Sequence, residues 1–278
     1  MRFELHCHSH YSEGTKIVLE APQSPRELIR TAKKKGLDGL ALTDHDTTKG
    51  WKQASEEAKK LKMVFIPAVE ISTKSGHVLG LGLNSTIKKG ISLDETLDKI
   101  KEQGAVSVAA HPFDIRGMGI RTEIRKTDAV EVFNAFSFDK VSNRLTEKHA
   151  KRLGLSMTVG SDAHSLGMLG SAVNIINARS LDGILKKIKK GDVLLEKKYV
   201  SAEEAIDWSR DRMTKSYLQI LNYIEKNYKE PKAWASRHLL NNYVFSTVDN
   251  SYWAWRCLAK LGFGASGLYG RAKLWKYY

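Results

Sequence analysis

Phe3-Glu4-Leu5-His6-Cys7-His8-Ser9-His10-Tyr11-Ser12-Glu13-Gly14 opens the chain, and its reading decides the fold. Phe3–Leu5 is a short apolar strand, and His6-Cys7-His8 ends it. Successive strand residues point to opposite faces, so His6 and His8 share one face and Cys7 takes the other. Cys7 is therefore expected as a small buried packing residue and not as a ligand. Glu13 follows in the turn, with His10 two residues beyond His8.

The same grammar recurs along the chain. Strands are expected at Gly39–Thr43, Val64–Val69, His77–Leu81, Val106–Ala110, Ala129–Phe133, Ser156–Val159 and Val173–Ile176. Helices between them announce their starts. Ser24-Pro25-Arg26-Glu27 combines an N-cap serine, a proline at the first helical position and a capping-box glutamate, and Ser92-Leu93-Asp94-Glu95 repeats the box. Ser180 caps a further helix through Lys190. Strand and helix in alternation imply an α/β architecture with a mainly parallel sheet over residues 1–197.

Chemistry gathers at the strand ends. His45 lies just past the second strand, between Asp44 and Asp46, Glu70 closes the third, and His77 begins the fourth. His111-Pro112 ends the fifth, where the proline is expected to keep His111 extended. Asp162 and His164 follow the seventh as another alternating pair. In β/α barrels this is the face where catalytic groups converge. Buried ionisable groups are costly unless paired or metal-bound, so six histidines and three carboxylates repeated in this way point to a metal cluster. His149 and His238 stand apart from the pattern and receive no role.

After Tyr199 the alternation stops. Ser201-Ala202-Glu203-Glu204 opens a helical pattern through Tyr228, Pro231 breaks it, and a second runs from Lys232 to Leu261. Gly262, Gly264, Gly267 and Gly270 read as a glycine-spaced tail. Five of the six tryptophans fall in this section, so residues 198–278 form a distinct helical, aromatic-rich module. Its aromatics have two readings, stacking on nucleic-acid bases or packing. Packing is preferred: Trp208, Leu218, Leu221 and Ile224 against the barrel, and Trp253 and Leu258 in a small local core.

The net charge of +14 favours anionic partners such as phosphorylated metabolites, nucleotides, nucleic acid or an acidic membrane face. No apolar run approaches the ~20 residues that span a bilayer, and no secretory signal is read at Met1-Arg2. Two distant cysteines, Cys7 and Cys257, make no disulfide framework, so a cytoplasmic setting without membrane partners is expected.

The segments His6-Cys7-His8 through Glu13-Gly14, Leu42-Thr43-Asp44-His45-Asp46, Ala68-Val69-Glu70-Ile71-Ser72, His77-Val78-Leu79-Gly80, Ala110-His111-Pro112 and Gly160-Ser161-Asp162-Ala163-His164 resemble, in order and spacing, the successive motifs of the PHP (polymerase and histidinol phosphatase) superfamily. The resemblance covers residues 1–197. It implies a distorted seven-stranded β/α barrel, here with an α-helical C-terminal extension, and two or three divalent metal ions. It further implies His6, His8, Glu70 and Asp162 around one ion, Glu13, His45 and His164 around a second, and a bridging Glu70 with His77 and His111 around a third. Glu13 departs from the aspartate or histidine usual at its position, and His10 is its possible substitute. The mixed nitrogen and oxygen donors suit zinc, manganese or iron.

Such a set suits hydrolysis of phosphate esters by a metal-activated water. The leading expectation is a phosphomonoesterase acting on nucleotides or oligonucleotide ends. Alternatives are an exonuclease on phosphodiesters, a histidinol-phosphate-type metabolite phosphatase, and a non-catalytic nucleic-acid-binding subunit. Arg116 and Arg121, in the glycine-containing loop after His111-Pro112, are candidate phosphate clamps, because guanidinium meets phosphate oxygens bidentately. Asn134 ends a strand near the expected site. Asp44 and Asp46 are candidates to orient ligand histidines, with Asp46 alternatively a helix cap.

Overall fold

A computed structural model describes residues 1–15, 17–246 and 252–277. Among the described residues nine strands form one sheet, in the order β7-β6-β5-β4-β3-β2-β1-β8-β9. They are β1 Arg2–Glu4, β2 Gly39–Leu42, β3 Val64–Ser72, β4 His77–Leu81, β5 Val106–Ala109, β6 Ala129–Asn134, β7 Ser156–Gly160, β8 Ala172–Ile175 and β9 Leu194–Lys197. The first eight match the expected strands within a few residues. β9 was not expected: its side chains are mostly exposed, so it lacks the apolar signature of a buried strand.

The sheet is mixed and not mainly parallel. β1/β2, β2/β3, β5/β6 and β6/β7 pair in parallel, whereas β4 runs against both neighbours, β8 against β1, and β9 against β8. The reversal of β4 matters for the site. It brings His77, the first residue of β4, opposite Ser72 at the end of β3. A residue that begins its strand therefore joins the face formed by the ends of the others.

The sheet curls until β7 meets β8 and β9. Asn174 on β8 spans the seam: its Nδ2 donates to Val159 O at 2.7 Å, and its Oδ1 accepts from Val159 N at 3.0 Å. Just beyond the strand ends the main chains meet, with His8 N donating to Ala163 O at 3.0 Å and Ala163 N to His6 O at 3.3 Å.

Alternation sorts the side chains. Ala41, Ile66, Ala68, Leu79, Val106 and Val108 fill one apolar cluster, closed by Ile184 and Ile188 of helix α5 (Leu181–Lys190). Leu40, Leu42, Val69 and Ile71 point the other way, onto Leu28, Ile29 and Ala32 of α1 (Pro25–Lys34) and Ala54 and Ala58 of α2 (Trp51–Lys60). Each fully buried Leu or Ile contributes roughly 1.5–3 kcal/mol. Ser24, Ser92 and Ser180 cap α1, α3 (Leu93–Glu102) and α5 through their hydroxyls, as their sequences imply. Helix α4 (Val141–Arg152) packs on β6.

Beyond the sheet, the long helical pattern divides at buried Ser216 into α6 (Ala202–Lys215) and α7 (Tyr217–Asn227). The next stretch gives α8 (Lys232–Phe245), and α9 runs over Tyr252–Leu274, with residues 247–251 of the expected helix outside the described residues. The four spaced glycines lie inside α9 and form no tail. At Gly270 the reason is contact: a Cβ would sit 3.3 Å from Asp139 and 3.4 Å from Ile115, so glycine lets α9 close onto the loop before α4. Leu274 completes a small core with Phe113, Val141 and Leu145. Trp208 packs toward the barrel as expected and Ile224 is buried with α8, whereas Leu218, Trp253 and Leu258 are exposed. No helix among the described residues is long and apolar enough to cross a membrane.

Candidate metal centre

Glu70 is the hub of the site. It is almost fully buried near the end of β3, with Thr43 O accepting from its amide at 3.2 Å and its own carbonyl accepting from Asp46 N at 3.1 Å. Its two carboxylate oxygens divide five histidines between them. Oε2 lies 3.0 Å from His6 Nε2, 3.2 Å from His8 Nε2 and 3.3 Å from His45 Nε2. Oε1 lies 2.9 Å from both His77 Nδ1 and His111 Nε2. The five rings close a circuit around it, neighbouring centroids 4.7–5.8 Å apart.

Asp162 adds a second carboxylate, its Oδ1 at 3.2 Å from His8 and 3.5 Å from His6. Its Oδ2 accepts from Asn134 Nδ2 at 3.1 Å, which brings Asn134 beside the cluster, where the family resemblance placed it. His164 sits 4.6 Å from the His8 ring. Three overlapping ligand groups result: His6, His8, Glu70 and Asp162; His8, Glu20 and His45; and His45, Glu70 and His77.

Two of these positions adopt backbone that side chains avoid. His111 has φ 28° and Asp162 φ 49°. The expectation of an extended His111 before proline is thus overturned. Its amide is turned to donate to Glu131 Oε2 at 2.9 Å, which holds the strained geometry in place.

Glu13 is the member of the expected set that the structure does not bring to the cluster. Its carboxylate is exposed at the rim, 3.2 Å from Lys49 Nζ and 3.3 Å from Lys89 Nζ, and these lysines hold its pKa below the usual range. Glu20 stands where Glu13 was expected, with Oε1 at 3.6 Å from both His45 and His164 and Oε2 accepting from Ser12 Oγ at 2.6 Å. His10 is no substitute, since it packs on Tyr11 outside these groups. The loop carrying Glu20 is braced from afar: Trp208 Nε1 donates to Glu20 O at 2.9 Å, and Leu19 N donates to Ser216 Oγ at 2.9 Å.

The arginines part company. Arg116 lines the cavity above the histidines, with its Nε donating to Asp114 Oδ1 at 3.1 Å. Arg121 is turned away, its guanidinium 5.6 Å over the Tyr277 ring. Gly76 and Gly119 allow the intervening loop to lie against the start of β4: a Cβ on Gly76 would fall 2.7 Å from Gly119, and one on Gly119 would fall 2.2 Å from Pro112 O. Asp44 and Asp46 orient no histidine. Asp44 accepts from Ser9 N at 2.5 Å and Ser9 Oγ at 2.7 Å, and Asp46 from Ser72 N and Oγ, both at 2.8 Å. Nor is Asp46 a cap, since Gly50 precedes α2.

Two further buried acids serve the site. Glu131 on β6 accepts from the His6 ring, Nδ1 at 2.8 Å, and from Asn134 Nδ2 at 3.1 Å. Glu4 accepts from His6 N and Ser161 N, both at 3.1 Å, and from Ser161 Oγ. Each is a lone acid inside an apolar strand, a signal legible in Ala129-Val130-Glu131-Val132 and Phe3-Glu4-Leu5.

The donor set fits divalent cations. His8 Nε2 and His77 Nδ1 are buried and close to Glu70, yet neither meets it with hydrogen-bond geometry. Groups that converge on a shared point in this way suit a common ion better than each other. Electrostatics agree. Burial disfavours charge on His8, but Asp162 and Glu70 outweigh it and lift its pKa to about 10. Burial likewise penalises Glu70 and Asp162, yet the histidines hold both well below the usual carboxylate range. At His45 burial wins and lowers the pKa to about 4. A pocket that draws protons this strongly draws metal cations for the same reason, and the two compete.

A family model described as PHP-associated matches residues 140–193. The chain is 38% identical over 151 residues to an uncharacterized protein of Methanocaldococcus jannaschii, covering 52% of this chain and 88% of that protein. It is 37% identical over 111 residues to a 5'-3' exoribonuclease of Haemophilus influenzae, covering 38% of each chain. With a 3',5'-nucleoside bisphosphate phosphatase of Chromobacterium violaceum it shares 35% identity over 85 residues, 29% of this chain and 27% of that one. A two-domain protein from Bacteroides vulgatus, containing a predicted PHP-like metal-dependent phosphoesterase, shares the fold at TM-score 0.59 and 16% identity, with 76% of this chain and 69% of that chain covered.

Proposed function

Because the chain belongs to the PHP superfamily, we propose that it is a metal-dependent phosphoesterase acting on phosphomonoesters of nucleotides or oligonucleotide ends. The observation that carries this reading is Glu70 with its five histidines and Asp162 beside them. In this reading His6, His8, Glu70 and Asp162 hold one divalent ion, His8, Glu20, His45 and His164 a second, and Glu70, His77 and His111 a third. Zinc, manganese and iron all suit these donors. Divalent ions held there would activate a water near neutral pH and would offset charge on the phosphoryl oxygens.

The chain's own groups do the rest. Glu131 and Asn134 fix His6 and Asp162, the outer partners that set ligand orientation. Arg116, at the cavity wall, offers its terminal amino groups to a phosphoryl oxygen. The cavity is small, about 150 Å³, and takes a terminal phosphoryl group better than the middle of a strand. A phosphodiesterase working from strand ends is the second reading, favoured by the likeness to the Haemophilus exoribonuclease. A non-catalytic role fits poorly with so complete a donor set.

The test is turnover of a panel of phosphomonoesters, phosphodiesters and end-labelled oligonucleotides by protein loaded with manganese or zinc. Release of phosphate or of end nucleotides supports the reading. Metal-loaded protein that hydrolyses no ester in the panel sinks it.

A further inference from the structure

A second cavity, about 250 Å³, adjoins the metal cavity and shares Arg116 with it. Its walls are mainly aromatic, with Asp114 and Asp139 among them. Phe136, Phe138, Trp208 and Phe263 line it, and Ser137 and Ser266 add hydroxyls. The rings form a continuous track that starts at the metal centre. His164 stacks on Phe136 with centroids 5.2 Å apart at 26°, Phe136 meets Phe138 at 4.8 Å, and Phe138 stacks on Phe263 at 4.2 Å and 23°. Trp208 stands edge-on to Phe136 at 5.1 Å. Trp208 and Phe263 belong to α6 and α9, so the C-terminal helices build half of the track.

We infer that this cavity binds the base of a nucleotide whose phosphoryl group occupies the metal cavity, an inference that rests on the phosphoesterase reading above. Arg116 faces both spaces, so an ester held at its phosphoryl end by Arg116 projects its leaving group into the aromatic one. Flat aromatic faces accept any base by stacking, and at the edge the Ser137 hydroxyl and the Ser266 oxygen, whose proton goes to Phe263 O at 2.7 Å, add polar contacts without dictating which base. A volume below the roughly 300–1,000 Å³ of sites for drug-sized ligands suits a single ring system. The C-terminal helices are therefore a specificity element, selecting nucleotides over small sugar phosphates.

The experiment compares adenosine 5'-monophosphate with ribose 5-phosphate on the metal-loaded full chain, by kcat/KM and by calorimetric affinity. The wild type is expected to prefer the nucleotide roughly tenfold or more, the size of one base stack. Phe263→Ala removes a ring from a half-exposed helix position, and Ser266→Trp fills the cavity. Both are expected to abolish the preference while ribose 5-phosphate is handled as before. Equal handling of the two compounds by the wild type overturns the inference and leaves the phosphoesterase reading standing. So does a preference that survives both variants. Should neither compound, nor any other ester of the panel, be hydrolysed, a tenfold calorimetric preference that Phe263→Ala removes upholds the base site while the phosphoesterase reading fails.

Discussion

Trp208 donates its indole N–H to the main-chain carbonyl of Glu20 at 2.9 Å, so a helix from the far end of the chain fixes the loop that delivers a carboxylate to the histidine cluster. In the proposed site Glu20, and not Glu13, is then the ligand. Glu20→Ala is expected to cost one metal equivalent, whereas Glu13→Ala, which removes only a rim contact with two lysines, keeps full occupancy. Elemental analysis after reconstitution with manganese checks both. Loss of metal in Glu13→Ala with retention in Glu20→Ala would reverse the assignment.

Glu70 touches five histidines, so its loss cannot be local. Glu70→Ala is expected to leave at most one ion bound and to lower activity by more than the 10–100-fold typical of outer partners. Full metal content in this variant would rule out a bridging role.

Glu131 stands behind the cluster, holding the His6 ring, the His111 main-chain amide and the Asn134 side-chain amide without belonging to any of the ligand groups. Glu131→Ala should weaken metal affinity by about 10–100-fold, while the fold survives saturating metal. A chelator titration of metal retention, run beside the wild type, reads the difference.

Arg116→Ala is expected to lower kcat/KM roughly ten- to a hundredfold, the loss of one charge-assisted contact worth about 1.5–3 kcal/mol, at unchanged metal content. Arg121→Ala, over Tyr277 and away from the cavity, should leave kinetics as they are. Altered kinetics in Arg121→Ala alone would mean that the loop carries substrate on its other side.

Metal-free protein should respond to pH in the opposite sense from the loaded form. The folded pKa of His8 is raised from 6.5 to about 10, so the protonated ring contributes stability that is fully present below pH 6.5 and fades as pH rises toward 10. Metal binding needs neutral imidazole and therefore strengthens over the same range. The melting temperature of chelated protein should fall between those pH values, while the stabilisation gained on adding metal grows. A chelated protein whose melting temperature climbs through that window would contradict this.

The barrel, and the convergence of most candidate ligands on one face, were legible because their information is local. An apolar strand ending in His6-Cys7-His8 states its own alternation, and capping serines state where α1, α3 and α5 begin. Glu20 was not legible, because its place depends on Trp208 and Ser216, which reach it only after the C-terminal helices dock. Arg121 misled for a related reason: a loop's composition cannot say which of two arginines faces inward. The α9 glycines suggested a break, but Gly270 marks an approach between surfaces, which becomes visible only with Asp139 opposite it. The reversal of β4 is likewise a property of pairing and not of the five residues that compose it.

The clasp at Asn174 has a consequence for how the barrel breathes. A backbone ladder opens one rung at a time, but here a single side-chain amide carries both bonds to Val159 between β8 and β7. Asn174→Leu keeps the branched shape in a somewhat larger side chain and deletes the clasp. Hydrogen exchange should then quicken first along β7 and β8, long before β2 or β3 loosens, since local opening follows the weakest cooperative unit. Because β7 runs directly into Asp162, the first opening of the barrel wall is also the first loosening of the grip on metal.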